Sequence, residues 1–271
     1  MCSAGFWACL PHNRSRSNSP LPKNTGISIS GFRARESRPN WWKIKDWTFF
    51  WCVRLHGQEI HGEGHMRKLK SVKALEDLGR TRLSQSFFMR GFLYSEIANL
   101  HGLSNIPDDP DLAIEAGRHL CEELLEPLNA TFGRLAIRSA YRSCDVNQFG
   151  NEHGYNCASN EKNYASHIWD RRDGNGFMGA TACIIIPWFA ERYEDGADWR
   201  SIAWWIHDHL PYSRLQFFPT LCAFNIQWHE QPKRIISSHI TPRGILNKHA
   251  PNNDSDDHSI WYPDFPKFSS N

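Results

Sequence analysis

The residues able to do chemistry in this chain fall in short segments between Ile137 and Glu230. Ile137-Arg138-Ser139-Ala140-Tyr141-Arg142-Ser143 carries arginine in a hydroxyl-rich stretch. Ser166-His167 and Trp228-His229 each supply an imidazole. Between those two lie Asp170-Arg171-Arg172-Asp173-Gly174-Asn175-Gly176 and Gly179-Ala180-Thr181-Ala182-Cys183. Imidazole, thiolate and carboxylate are the protein ligands of zinc. A hydrolytic zinc site needs three of them and one open position for water, whose pKa the metal brings toward neutrality. A carboxylate base then takes the water's proton, and a cation steadies a substrate carboxylate or an oxyanion.

Taken in this order, the segments resemble the metal core of the M15 family of zinc D-Ala-D-Ala peptidases, which share their fold with the hedgehog signalling domain. The resemblance covers about residues 86–240. Ser95-Glu96, Asn105-Ile106-Pro107 and Leu125-Glu126-Pro127-Leu128 belong to it, as do Ser139-Ala140-Tyr141-Arg142-Ser143 and Val146-Asn147. It implies zinc as cofactor, with His167 as first ligand and His229 as third. It implies that Arg142 grips the substrate carboxylate. The implied activity is that of a D,D-carboxypeptidase or a peptidoglycan peptide hydrolase, acting on wall peptides.

Two positions depart from the family pattern. Where the family has an aspartate ligand, this chain has Cys183, after an apparent insertion. Either the thiolate of Cys183 ligates, or Asp173 swings in from the inserted loop, six residues after His167. The third reading is a small buried thiol on a core strand. The family's glutamate base is also missing. Gln216-Phe217-Phe218 stands near its place and the next acid is Glu230. A residue that follows a ligand on a strand faces the other way, which makes Glu230 a weak candidate base. These departures keep open an alternative, a catalytically inactive relative that binds wall peptides or a protein partner. Arg142 and His229 also have plain structural readings, each at the end of a strand. His207 and His209 lie on different faces of a helix and read as surface residues.

The elements that must position these residues are readable from Met66 onward. Residues 70–79 and 86–100 carry helical spacing. Asp109-Pro110 is a helix start, and Leu112, Ala116, Leu120 and Leu124 form one apolar stripe that ends or kinks at Pro127. Leu135–Ser139 reads as a short strand and residues 143–165 as a long polar loop. Ala182–Ile186 suits a strand buried on both faces. A helix spans Asp198–His209, and strands span Tyr212–Phe218 and Ala223–His229. The expected fold class is α+β, with N-terminal helices packed on a small, mainly antiparallel sheet, as in the hedgehog/DD-peptidase fold.

Composition sets the outer limits. The 271 residues can bury one substantial core plus an appendage. Residues 1–65 carry nine Lys/Arg against four Asp/Glu and five of the twelve Trp, with no sustained period. They read as a disordered or non-native extension, with Met66 as an alternative start. Residues 66–249 form the peptidase-like domain and 250–271 a loose tail. The net charge of +2 gives no general case for nucleic acid. The eight cysteines show no paired spacing and read as reduced thiols. No stretch reaches the roughly 18–20 apolar residues of a membrane span. No secretory signal is present, so the expected location is cytoplasmic, or outside the cell after phage-type release.

Overall fold

A computed structural model describes residues 71–247 and 257–269, all within one unit that runs Ile60–Asn271. The expected extension over residues 1–65 lies outside the described residues. The chain is α+β, and its sheet is mainly antiparallel, as expected.

Helix α1 (Val72–Arg80) is capped by Ser71, whose side chain accepts from the N–H of Ala74. The expected helix over 86–100 is broken into a 3-10 turn, Met89–Phe92, and α2 (Glu96–His101). Ser95 causes the break, because its extended backbone and side-chain bond to Ala98 N–H start a new helix. Helix α3 (Pro110–Leu120) starts at Asp109, which accepts from Leu112 N–H. Its stripe does not end at Pro127. A π turn, Cys121–Leu125, leads straight into α4 (Glu126–Phe132). The wide turn absorbs the proline, whose missing N–H would otherwise break the ladder.

The sheet contains β1 (Ala136–Ser139), β2 (Gly179–Ile185), β3 (Arg214–Phe217), β4 (Phe224–His229), β5 (Ile235–Ser238) and β6 (Gly244–Ile245), in the order β1-β2-β4-β3-β5-β6. Among the described strands only β3 and β5 pair in parallel. Side chains alternate between its faces. Ala180, Ala182, Ile184, Phe224, Ile226, Trp228, Leu215, Phe217 and Ile236 share one face. They join Ala113, Ala116, Leu120 and Leu124 in a single core. Helix α3 therefore covers that face, and His119 stacks on Trp228 with ring centroids 4.3 Å apart. The opposite face is polar and carries Thr181, Cys183, Asn225, Gln227, His229, Arg214 and Gln216.

Three sequence expectations are corrected. Residues 143–165 are not one loop, since α5 (Cys144–Glu152) and α6 (Asn160–Asn163) lie within them. Ser143 caps α5, and the buried Asn147 side chain bonds Asn160 and Asn163. A side-chain network replaces the apolar stripe that helix prediction relies on. His207 is not a surface residue. Helix α7 (Pro187–Glu194) precedes α8 (Trp199–His209), and on α8 the His207 Nδ1 lies 2.6 Å from Tyr212 Oη, in the interior. The tail is not loose over residues 257–269. His258 and Tyr262 bond Asp208 of α8, and Phe265 packs edge-on against Phe132 and Trp188.

Candidate functional site

The polar face of the sheet holds the sequence-predicted site residues in two groups. The first lies at the Gly179–His229 end. His229 closes β4 opposite Gly179. Its Nε2 stands 3.3 Å from Asp173 Oδ2, and its Nδ1 meets the N–H and the carbonyl of Gln231 at 3.0 and 3.1 Å. Asp173 reaches His229 because its own loop is tied back. Asp173 Oδ1 accepts from the N–H groups of Asn175 and Phe177 at 2.9 and 3.0 Å. Burial pushes the Asp173 carboxyl up, but these N–H groups and His229 outweigh it and hold it below its ordinary value. Glu230, the weak base candidate, is turned to other work. Its Oε2 accepts from Met178 N–H at 2.7 Å and lies 3.6 Å from Arg172.

The second group surrounds Arg142. The Arg142 N–H donates to the His167 carbonyl at 2.8 Å, and its Nη1 donates to Cys157 Sγ at 3.3 Å. His167 Nδ1 bonds the Ala140 carbonyl at 2.8 Å. A carbonyl only accepts, so the proton sits on Nδ1. Burial, then the charge of Arg142, pushes the His167 pKa down to about 3, and the ring is neutral near pH 7. Cys183 pairs with Asn225 on β4 and with Ser139 across a bulge in β1. Burial pushes its thiol up, against the pull of Arg138 and Arg142, and it stays protonated near neutrality. Among the described residues no carboxylate closes an ion pair with Arg142; its polar partners are backbone and thiol.

The segment before His167 joins the two groups. Ala165 takes a positive φ of 52°, which is uncommon for a residue with a Cβ. This turns its carbonyl over Gly179 and onto Gln227 Nε2, at 3.0 Å. Ser166 Oγ then meets Thr181 Oγ1 at 3.1 Å.

These positions decide how the residues fit zinc. Two donors on one tetrahedral ion, each about 2.0–2.1 Å from it, stand about 3.3 Å apart. Asp173 and His229 have that separation, which is longer than the about 2.7–2.9 Å of a charge-assisted hydrogen bond. Asp173, and not Cys183, is the residue beside His229. Cys183 pairs with Asn225, four residues before His229 on β4, about 13 Å along the strand. Parallel side chains on one face do not close such a gap. Among the described residues no group of three or more His, Cys, Asp or Glu gathers as a metal cluster. The residues present thus supply a fitting pair of donors, one fewer than a hydrolytic centre requires.

Asn225 and Cys157 were not singled out by sequence reasoning, and Arg138 and Gln216 entered it only as members of quoted segments, without a role. The signal for Asn225 was present. In Phe224-Asn225-Ile226-Gln227-Trp228-His229 the polar residues alternate with apolar ones and define one face. No family model matches the chain, and neither a curated protein nor a solved structure matches it.

Proposed function

We propose that this chain is an M15-like protein of the hedgehog/DD-peptidase fold that binds cell-wall peptides by their carboxylate at Arg142, without zinc hydrolysis. The observation that supports this reading is the state of Arg142. Its guanidinium lies near the neutral His167 and the protonated thiol of Cys183 and beside Cys157, and it closes no ion pair among the described residues, although the Glu96 carboxylate acts on the same thiol. A partly buried guanidinium without a protein carboxylate favours an anionic ligand, and its fork suits a carboxylate. The main-chain bond to His167 fixes the Arg142 backbone, and the bond to Cys157 Sγ holds the guanidinium before a ligand arrives.

The test is calorimetric titration of the full chain with an N-acetylated Lys-D-Ala-D-Ala peptide. Binding should weaken at least about tenfold in Arg142→Gln, as expected for loss of a charged hydrogen-bonding partner. It should weaken similarly when the peptide's C-terminus is amidated. Equal affinity for the acid and the amide removes the reading.

The 3.3 Å contact of Asp173 with His229 favours a second reading, a zinc-dependent D,D-carboxypeptidase. In it Asp173 and His229 would hold the metal, and His167 would be the third donor. One zinc per chain, lost in both Asp173→Ala and His229→Ala, together with D-Ala release from the same peptide, would establish it. Absence of zinc after addition of the ion would dismiss it.

A further inference from the structure

The strand register aligns Ser139, Cys183, Asn225, Gln216 and Ser237 side by side across β1, β2, β4, β3 and β5. Neighbouring strands stand about 4.8 Å apart, so four steps give a polar row about 19 Å long. An extended peptide of about six residues has that length. The middle of the row is joined. Asn225 Nδ2 donates to Gln216 Oε1 at 3.2 Å, and Gln216 Nε2 lies 3.2 Å from His239 Nε2. Ser139, Asn225, Gln216 and Ser237 are half-buried, and His239 is exposed.

The parallel row two residues along the strands shows what this face can hold. There Thr181 and Gln227 are covered by the chain's own segment. Gln227 Nε2 donates to the Ala165 carbonyl, and Thr181 meets Ser166. A side-chain amide of this sheet, Gln227, thus already binds main chain laid over it, and the Thr181 hydroxyl binds a side chain of the same segment. The row through Asn225 and Gln216 offers the same chemistry on its half-buried side. At its β1 end Arg138 and Arg142 both act on Cys183, opposed by the smaller effect of Glu96, which leaves that end cationic.

We propose that Asn225 and Gln216 form the floor of a peptide subsite, on which an extended peptide lies across the strands with its C-terminal carboxylate at the Arg138–Arg142 end. The identity of that peptide as a wall peptide rests on the function proposed above; the floor itself does not. Asn225 and Gln216 bind the peptide's main-chain N–H and C=O groups, so they set its reach and pose and not its side-chain preference.

Titration of the full chain tests this with two probes, the N-acetylated Lys-D-Ala-D-Ala peptide and tri-L-alanine. The Asn225→Ala/Gln216→Ala double variant should bind at least tenfold more weakly than the parent. A probe N-methylated at its last amide should bind the parent more weakly, and this loss should vanish in the double variant. Unchanged affinity in a folded double variant overturns the subsite. If that variant does not fold, the side-chain NH2 resonances of Asn225 and Gln216 in the parent must shift on saturation with a probe. Resonances that stay still also overturn it. Wall-peptide binding lost in Arg142→Gln but intact in the double variant leaves the carboxylate reading standing and removes the floor. Row-dependent binding of tri-L-alanine alone keeps the floor and removes the wall-peptide reading. Binding of neither probe removes both.

Discussion

Gly179 stands where β2 passes under Ala165, and its lack of a side chain lets the two strands of chain meet. A Cβ there would lie 2.3 Å from the Ala165 carbonyl and 2.9 Å from both His229 Cδ2 and the Trp228 carbonyl. Two of these contacts are backbone atoms that cannot rotate away. Gly179→Ala should therefore cost about 2–3 kcal/mol in urea unfolding, the range of core overpacking. It should also shift the His229 ring resonances. A variant as stable as the parent would mean that the Ala165 segment does not sit on the sheet.

Asp170 is a second residue with a measurable signature. It is 2% exposed, and its Oδ2 accepts from Asp108 N–H at 2.7 Å. Its Oδ1 and Tyr141 Oη are both buried, and the two side chains interact. Burial pushes the Asp170 carboxyl above its ordinary 3.8, against the pull of the Asp108 and Asp109 N–H groups and Arg171. Between 3.8 and the raised native value the folded chain holds more protons than the unfolded one. The stability this group contributes is complete below 3.8 and is lost as pH rises through the native value. Asp170→Asn imitates the protonated carboxyl and escapes that loss. Its stability relative to the parent should thus rise between about pH 4 and pH 7 in urea unfolding. A difference that stays constant with pH would show that Asp170 ionises as freely in the folded chain as in the unfolded one.

At the scale of elements, one buried carboxylate joins the loop before the 3-10 turn to the start of α4. Glu126 is 7% exposed, and its Oε1 accepts from Ser84 Oγ at 2.7 Å and from Ser86 N–H at 2.5 Å. Its Oε2 accepts from Ser86 Oγ at 2.9 Å. Glu126→Ala leaves the buried Ser84 hydroxyl without its acceptor and should cost about 2–3 kcal/mol. A double-mutant cycle with Ser84→Ala should give a coupling of about 1 kcal/mol, and additivity would show that the bond carries no stability. The same scale decides how much of the fold was legible. Helix α8 and strand β2 were legible because Asp198 is an N-cap and Ala182–Ile186 is a β-branched run. Helices α5 and α6 were not, because Asn147, Asn160 and Asn163 stabilise them through side-chain bonds that no periodicity encodes. Arg142, His167, Asp173 and His229 were legible as chemical residues. Their division into two groups was not, because it follows from strand register. Pairing Cys183 with Asn225 sets the thiol four residues away from His229, and sequence order does not reveal that pairing.

For the whole molecule, the last described segment matters most. Residues 257–269 reach the helical layer made by α4, α7 and α8. Phe265 meets Phe132 and Trp188 with ring centroids 5.9 and 5.1 Å away, both edge-on. The His258 ring stacks on Trp204 at 3.9 Å, and Asp208 bonds both His258 and Tyr262. Apolar contact supplies the energy of this docking, and the two polar bonds to one carboxylate fix its position. Deleting residues 257–271 would uncover Trp188, Trp204 and Phe132 together. The loss should reach about 3–5 kcal/mol, comparable to emptying one large aromatic site, and the variant should bind a hydrophobic dye in its native state. Phe265→Ala should reproduce most of the loss, while Asp208→Asn should cost only about 1–2 kcal/mol, the worth of the weakened polar bonds. Urea unfolding of the three variants separates these contributions. If the deletion is as stable as the parent, or if Asp208→Asn costs more than Phe265→Ala, the segment is not held by its aromatic face.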